Sequence, residues 1–416
     1  MATSVGSGLG SYLSSVIETT YGAWLTPTKS VEYGSHTVEW KPKRVTGMGL
    51  ANGSQVQKAA QRVTTTSTVV GDVKMQGFYK GMGQWLGALL GSLGVAPVQQ
   101  GGTTAYLQTH ALAGNYGQSL SLQAGIPQLT GTIVPRNWAG VKVPKGVFAC
   151  AVDGILDCTF SVDGRSEDTA AGRVDTAAYS VGAGSLVTDT SITAHDVGAP
   201  VTGTNIPANS YVWNVIPGVS FNLSSSPTQY TSVAATGTGT SVTVGGAYAA
   251  PSYAAGNNVY SFSNANFQIG AYGSEVTVEG IRNVTLTIER PMKVDNFYQD
   301  GSGNSVNGTL KQQPVQNGFT KISIEIESDY ISDPAFVGQF VSDTAQSVIW
   351  TFNSTSNAGT AYPYYLKFAV PDIQWDAGPP SVSGPEIVQP KLSLVGLYDG
   401  THTAATITYM STDTTL

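Results

Sequence analysis

The sequence predicts a mainly β protein with one α-helix and a small β-rich insertion. Apolar and polar residues alternate in many segments with the two-residue period of half-buried strands. A single stretch carries helical spacing, and from Val197 to Ser274 the chain has no Asp, Glu, Lys or Arg. With 416 residues and 41% hydrophobic content the chain can bury more than one small core, so two domains are expected.

The strands are clearest in the second half. Across Lys321 to Glu327, Ile322, Ile324 and Ile326 fall on one face and Lys321, Ser323, Glu325 and Glu327 on the other. Val284, Leu286 and Ile288 alternate with Thr285, Thr287 and Glu289 in the same way. Shorter versions are expected at Glu275 to Glu279 and at Ala405 to Tyr409. Arg62 to Val70 is a β-branched run with threonine on both faces, suited to packing against another protein surface.

The helix is expected from about Lys80 to Leu93. Met82, Trp85, Leu86, Leu89, Leu90 and Leu93 follow the i, i+3, i+4 pattern, with Gly94 as the C-terminal cap. Gly83, Gly87 and Gly91 each cost about 1 kcal/mol relative to alanine, so the helix must be held by burial of its Trp and Leu stripe. The glycines would also let a strand or a neighbouring subunit approach closely.

The charge-free stretch reads as short strands split by Gly, Pro and Asn turns. Residues 173–250 are therefore read as an inserted β-rich domain, and residues 1–172 and 251–416 as one discontinuous domain around it.

Only 11% of residues are charged, so polarity comes mostly from hydroxyls and backbone, which suits extended structure with much subunit contact. The net charge of −7 and pI near 5.1 argue against a protein that grips phosphate backbones, since such binding is driven by Lys and Arg. Met1 to Gly10 has neither a basic residue nor an apolar run, so it does not read as a secretory signal. The longest apolar stretch, Trp85 to Val98, is broken by glycines and too short to span a bilayer. No membrane insertion is expected, and the chain reads as soluble and made in the cytoplasm.

Cys150 and Cys158 are too few for a disulfide framework. A two-residue turn at Asp153-Gly154 would set Cys150 opposite Asp157 and leave Cys158 on the other face; a three-residue loop would restore the pairing. Free thiols are expected, because cytoplasmic thiols stay reduced.

The catalytic inventory is poor. His36, His110, His195 and His402 lie in no metal-ligand spacing, and His195-Asp196 reads as a turn. Glu325 and Glu327 share a strand face and are the one candidate glycosidase pair, but Lys321 and Ser323 in the same row favour a solvated surface or channel wall. The Gly-rich stretches lack the Gly-Lys-Ser/Thr ending of a phosphate loop, and Asp295 to Asp300 lacks the Gly and terminal Glu of an EF-hand. No catalytic residue, metal or cofactor is expected. Lys41, Lys43, Arg44, Lys58 and Arg62 make a basic section around the Gly-rich VTGMGLANGSQ, either a mobile arm carrying charge to an acidic neighbour or a solvated loop.

Four segments in succession resemble the tail tube proteins of siphophages, the flexible-tailed bacterial viruses. GSGLGSYLSSVIETTYGAWLTPTKSVEY is similar to the family's opening turn, here Glu18, Tyr21, Gly22 and Pro27. QRVTTTSTVVGDVKMQGFYKGMGQWLGALLG resembles its strand leading into a single amphipathic helix, and VTVEGIRNVTLTIERPMKVDNFYQDGSGNSVNGTLKQQPVQNGFTKISIEIESDY its paired central strands. GPEIVQPKLSLVGLYDGTHTAATITYMSTD resembles its closing hairpin around Asp399-Gly400. The insert is similar to a β-segment that recurs in phage structural proteins, in the pattern of Thr193 to Pro200, Ile206-Pro207 and Pro217-Gly218 through Leu223.

The resemblance implies a β-sandwich or open barrel flanked by the helix, with six copies forming a ring and rings stacking into a tube. Four strands from each of six subunits would close a wall of roughly 24 strands, wide enough to leave an open lumen. Six copies of −7 total about −42, which repels DNA phosphates rather than holding them. DNA would be passing cargo. Asp153, Glu325 and Glu327 are the residues expected to face the lumen, and Lys41, Lys43, Arg44 and Lys58 the arm expected to touch the next ring. The implied partners are further copies of the chain, a tape measure protein, and tail terminator and distal tail proteins, all in the virion. The insert is expected to face outward. A carbohydrate- or receptor-binding β-protein is the alternative, since seven Trp and 20 Tyr could supply sugar platforms.

Overall fold

Alternation along the chain sets the two faces of a β-sandwich. In the computed structural model the described residues are 8–49, 55–114, 118–127, 133–168, 172–298, 309–329, 344–377 and 390–416. The first sheet is antiparallel throughout, in the order Arg62–Gln76, Asp157–Gly164, the second half of Ile133–Ala151, Ile281–Glu289, Lys321–Ser328 and Lys391–Gly396. The isoleucines of Lys321–Ser328 are buried and the residues between them are not, as the alternation predicts.

The second sheet runs through Ala265–Gly270, Gln346–Gly359, Tyr362–Ala377, Thr406–Ser411 and Tyr106–Ala111. Tyr362–Ala377 also pairs with Lys391–Gly396, which joins the two sheets along one side. Between them lies an aromatic core in which the Phe148 and Phe368 rings stand 4.7 Å apart and Trp350 and Phe368 5.4 Å apart. Such pairs contribute about 1 kcal/mol each beyond their buried area.

The one α-helix among the described residues, Gly83–Leu90, is shorter than the periodicity predicts and is buried on every side. It ends at Gly91, not Gly94, because Gly91 adopts φ 77° and caps the last turn. A Cβ on Gly91 would lie 2.7 Å from both the Ala113 carbonyl and the Arg290 guanidinium. That guanidinium is fully buried and donates to the Leu89 and Ala113 carbonyls, holding a cation at the helix C-terminus. The approach that the glycines permit is that of the strand Tyr106–Ala111: a Cβ on Gly83 would lie 2.2 Å from Gln108 Oε1 and one on Gly87 3.4 Å from His110 Nδ1.

Two other expectations are corrected. The segment Glu275 to Glu279 forms only the two-residue strand Val276–Thr277, exposed at an edge rather than half-buried. In the hairpin after Ala151, Asp157 pairs with Ala149 and Cys158 with Phe148. Both cysteines therefore point to the same buried face, and both are free thiols. The turn is wider than two residues because Asp153 takes φ 61°, and even so it does not set the cysteines opposite each other.

The charge-free stretch forms most of a closed barrel in the order Arg173–Tyr179, Leu186–Asp189, Ser220–Ser224, Ser210–Ile216, Pro200–Thr202 and Gly239–Val244. Its own core includes Val187, Val212, Trp213, Phe221 and Leu223. Leu310, from outside the barrel sequence, belongs to that core too.

Candidate functional site

The unburied face of the first sheet is a wall of small, hydroxyl-bearing and charged side chains. One row across it reads Ser393, Glu325, Thr285, Ala149, Asp157, Gln76, and the next Val395, Ser323, Thr287, Val147, Thr159, Lys74. A third reads Lys321, Glu289, Lys145, Ser161, Asp72. Acids and lysines are interleaved, so the wall has little net charge and no cluster of cations to hold a phosphate. Glu327 pairs with Lys391 at 2.7 Å, and that hydrogen bond holds its carboxyl below the usual range. Glu325 and Glu327 thus share this face, whereas exposed Asp153 sits in the turn at its end.

From the opposite end of the same sheet a two-stranded ribbon projects. Glu39–Thr46 pairs with the first part of Arg62–Gln76, and among the described residues no strand pairs with its outer edge. Lys41, Lys43 and Arg44 therefore lie in an exposed edge strand rather than a loop, with Lys58 exposed on the returning chain. Pro42 within that strand lacks an N–H, and the charges flanking it discourage pairing with another strand. Met48 and Val56 near the tip are 84% and 79% exposed, apolar surface that water does not favour. Residues 50–54 of the Gly-rich segment lie outside the described residues.

The ribbon's root rests on the barrel. Thr193 and Asp196 form a capping box around the short turn Ala194–Asp196, and Arg173 binds Asp175 at 2.8 Å and Asp196 at 3.2 Å. This fixes His195, whose ring meets the Trp40 ring edge-on at 4.6 Å. Burial lowers the His195 pKa, leaving a neutral ring there. A cavity of about 600 Å³ lies alongside, lined by Trp40, Val63, Ser67, Glu167, His195 and Leu310 among others.

Deeper in the same junction, Lys311 and Asp163 form a fully buried ion pair, and Lys311 also donates to Thr68 Oγ1 at 2.8 Å. Arg165, also fully buried, donates to the Lys311 carbonyl and lies 6.0 Å from the Trp213 ring of the barrel. Glu18 is buried beside it and accepts from the Gly22 and Gly140 amides and from Ser119 and Ser121. Burial pushes its carboxyl up to about 7 against those four donors. The Glu18, Tyr21, Gly22 turn is thus a packing knot: Gly22 and Gly140, both at positive φ, leave room for Arg165.

A model of the phage tail tube protein family matches residues 8–209 and 184–410, nearly the whole chain. The chain belongs to that family. No curated protein matches it. As a phage tail tube protein it is a structural component of the virion tail, and its β-sandwich, buried helix and small barrel are the architecture in which the wall and the ribbon are built. No helix among the described residues is long and apolar enough to cross a membrane.

Sequence reading missed the contact of Trp40 with His195 and the buried Lys311–Asp163 pair. The edge strand had a local signal, a proline set among charges, that marks an unpaired edge.

Proposed function

We propose that this phage tail tube protein is the tube subunit of a long flexible-tailed phage. Six copies form a ring, rings stack into a tube, and DNA passes through the lumen without being bound. The observation that carries this reading is the wall: a broad antiparallel sheet with one face in the core and the other covered by hydroxyls, small aliphatics and interleaved charges. Shared closure across subunits removes the open edges that such a sheet leaves in a monomer. Glu325 and Glu327 face the lumen in this arrangement, and Asp153 stands at its rim.

Residues 1–172 and 251–416 form the tube-building domain in this reading, and residues 173–250 an outward-facing insertion. The ribbon bearing Lys41, Lys43, Arg44 and Lys58 reaches the neighbouring ring. The tape measure protein occupies the lumen during assembly, and terminator and distal tail proteins close the ends. No step in this role needs a catalytic residue. The barrel's large aromatics Tyr179, Tyr211, Trp213 and Phe221 are buried, so none of these four rings can serve as a sugar platform.

Negative-stain microscopy of the purified protein tests the reading. Rings or tubes support it; monomers alone at high concentration, in every salt tried, contradict it.

A further inference from the structure

A short stretch of chain, residues 309–313, crosses the junction between the first sheet and the barrel. Ser67 Oγ donates to the Thr309 carbonyl at 3.2 Å, Leu310 enters the barrel core, and Gln312 donates to the Thr228 carbonyl at 3.1 Å. Arg165 Nε donates to the Lys311 carbonyl at 3.0 Å. These contacts fix the backbone on both sides of Lys311, whose amine meets Asp163 on the strand Asp157–Gly164.

The two side chains are sealed from water, at 1% and 4% exposure. Burial lowers the Lys311 pKa and raises that of Asp163, each against the pull of its partner. Both shifts favour the same proton transfer, from ammonium to carboxylate, which removes two charges that a dry interior stabilises poorly. The product is an uncharged amine against an uncharged carboxylic acid. Asp163 Oδ2 has no hydrogen-bond partner among the described residues. Thr68 Oγ1 accepts from Lys311 Nζ at 2.8 Å and also lies against the Asp163 carboxyl. A nucleophile, a carboxyl carbon and a hydroxyl able to pass a proton between them are thus held together, and for groups so placed effective concentrations reach about 10⁵ M or more.

We propose that Lys311 and Asp163 join in an intramolecular amide, an isopeptide bond that staples residues 309–313 to the first sheet. The neutral amine attacks Cγ of Asp163 and the C–N bond forms. Thr68 takes one amine proton and passes its own to the departing Asp163 oxygen, which leaves with the carboxyl proton as water when its C–O bond breaks. Nothing is oxidised or reduced, and no co-reactant is consumed. The link spans 148 positions and closes a loop that contains the entire barrel. Such a cross-link acts mainly on the unfolded chain, which can no longer separate the two connections of the barrel. It does not rest on the tube reading. Until the bond forms the pair remains a buried ion pair, and the stability of variants at either position is measured against that unlinked chain.

Mass spectrometry of the purified full-length wild type is the test. The intact chain should be lighter than its sequence by one water, about 18 Da. Trypsin should release a branched peptide that joins Asp163 to an uncut Lys311. Lys311→Arg and Asp163→Ala should each carry the full sequence mass. Thr68→Val keeps the shape of the side chain and removes its hydroxyl, so the linked fraction in freshly made protein should accumulate about tenfold more slowly or worse.

A wild type of full mass, with Asp163 and Lys311 in separate peptides, overturns the proposal. So does a water lost elsewhere, as at the Asp153-Gly154 turn, while those two peptides remain separate. Equal rates in the wild type and Thr68→Val overturn the proton relay. The deciding spectrum is that of the wild type, so it stands whether or not the variants fold.

Discussion

The Trp40 ring meets the His195 ring edge-on at 4.6 Å, which ties the root of the exposed ribbon to a turn of the small barrel. The barrel thereby braces the ribbon, and Leu310 extends the brace by entering the barrel core next to its bridge with Ser67.

Replacing His195 with Ala should cost about 1 kcal/mol, the worth of one aromatic pair. Its effect should be local. Hydrogen exchange in Glu39–Thr46 should rise while that of Lys321–Ser328 stays unchanged, and unchanged exchange in the ribbon would show that the barrel does not hold it.

Lys311 and Asp163 are both buried, so removing one leaves the other as an uncompensated charge. Lys311→Met should destabilise the fold by about 3–5 kcal/mol in denaturant unfolding. The double variant Lys311→Met with Asp163→Leu should recover most of that loss, since two apolar groups leave no charge behind.

His110 is fully buried between Ser92 and Gln108, and burial lowers its pKa to about 4 from 6.5. The folded-state value is depressed, so between about 6.5 and about 4 the unfolded chain takes up the proton and the native chain does not. Stability is then lost as pH falls through that window, by on the order of 3 kcal/mol. Glu18, whose carboxyl is raised to about 7 from 4.5, contributes in the opposite sense, losing stability as pH rises over that range. The measurement is therefore the difference between wild type and His110→Gln at each pH, which should change in favour of the variant as the solution is acidified.

Gly91→Ala should cost about 1–3 kcal/mol, because φ of 77° is strained for alanine and the added methyl meets the Ala113 carbonyl. Gly81→Ala is the control: it is also at positive φ, but open space surrounds it. Equal melting temperatures for the two would assign the whole effect to backbone conformation.

Strand faces were legible in the sequence because alternation is local: Ile322, Ile324 and Ile326 announce their burial without any knowledge of neighbours. The helix was legible in kind but not in length, since Leu93 continues the apolar spacing after Gly91 has turned the chain. The hairpin register near Cys150 depended on the conformation of one residue, Asp153, which composition does not reveal. The charges at Lys41, Lys43 and Arg44 mark a basic section in the sequence, but their strand arises from pairing with Arg62–Gln76. The contacts of Trp40 with His195 and of Lys311 with Asp163 join residues more than a hundred positions apart, and no local pattern marks them.

A density map of the assembled tube at side-chain resolution tests the central claim most directly. The wall bearing Glu325, Thr285 and Ser323 should line the channel, with the barrel on the outside. Glu325 on the outer surface, and the wall turned away from the lumen, would contradict the account.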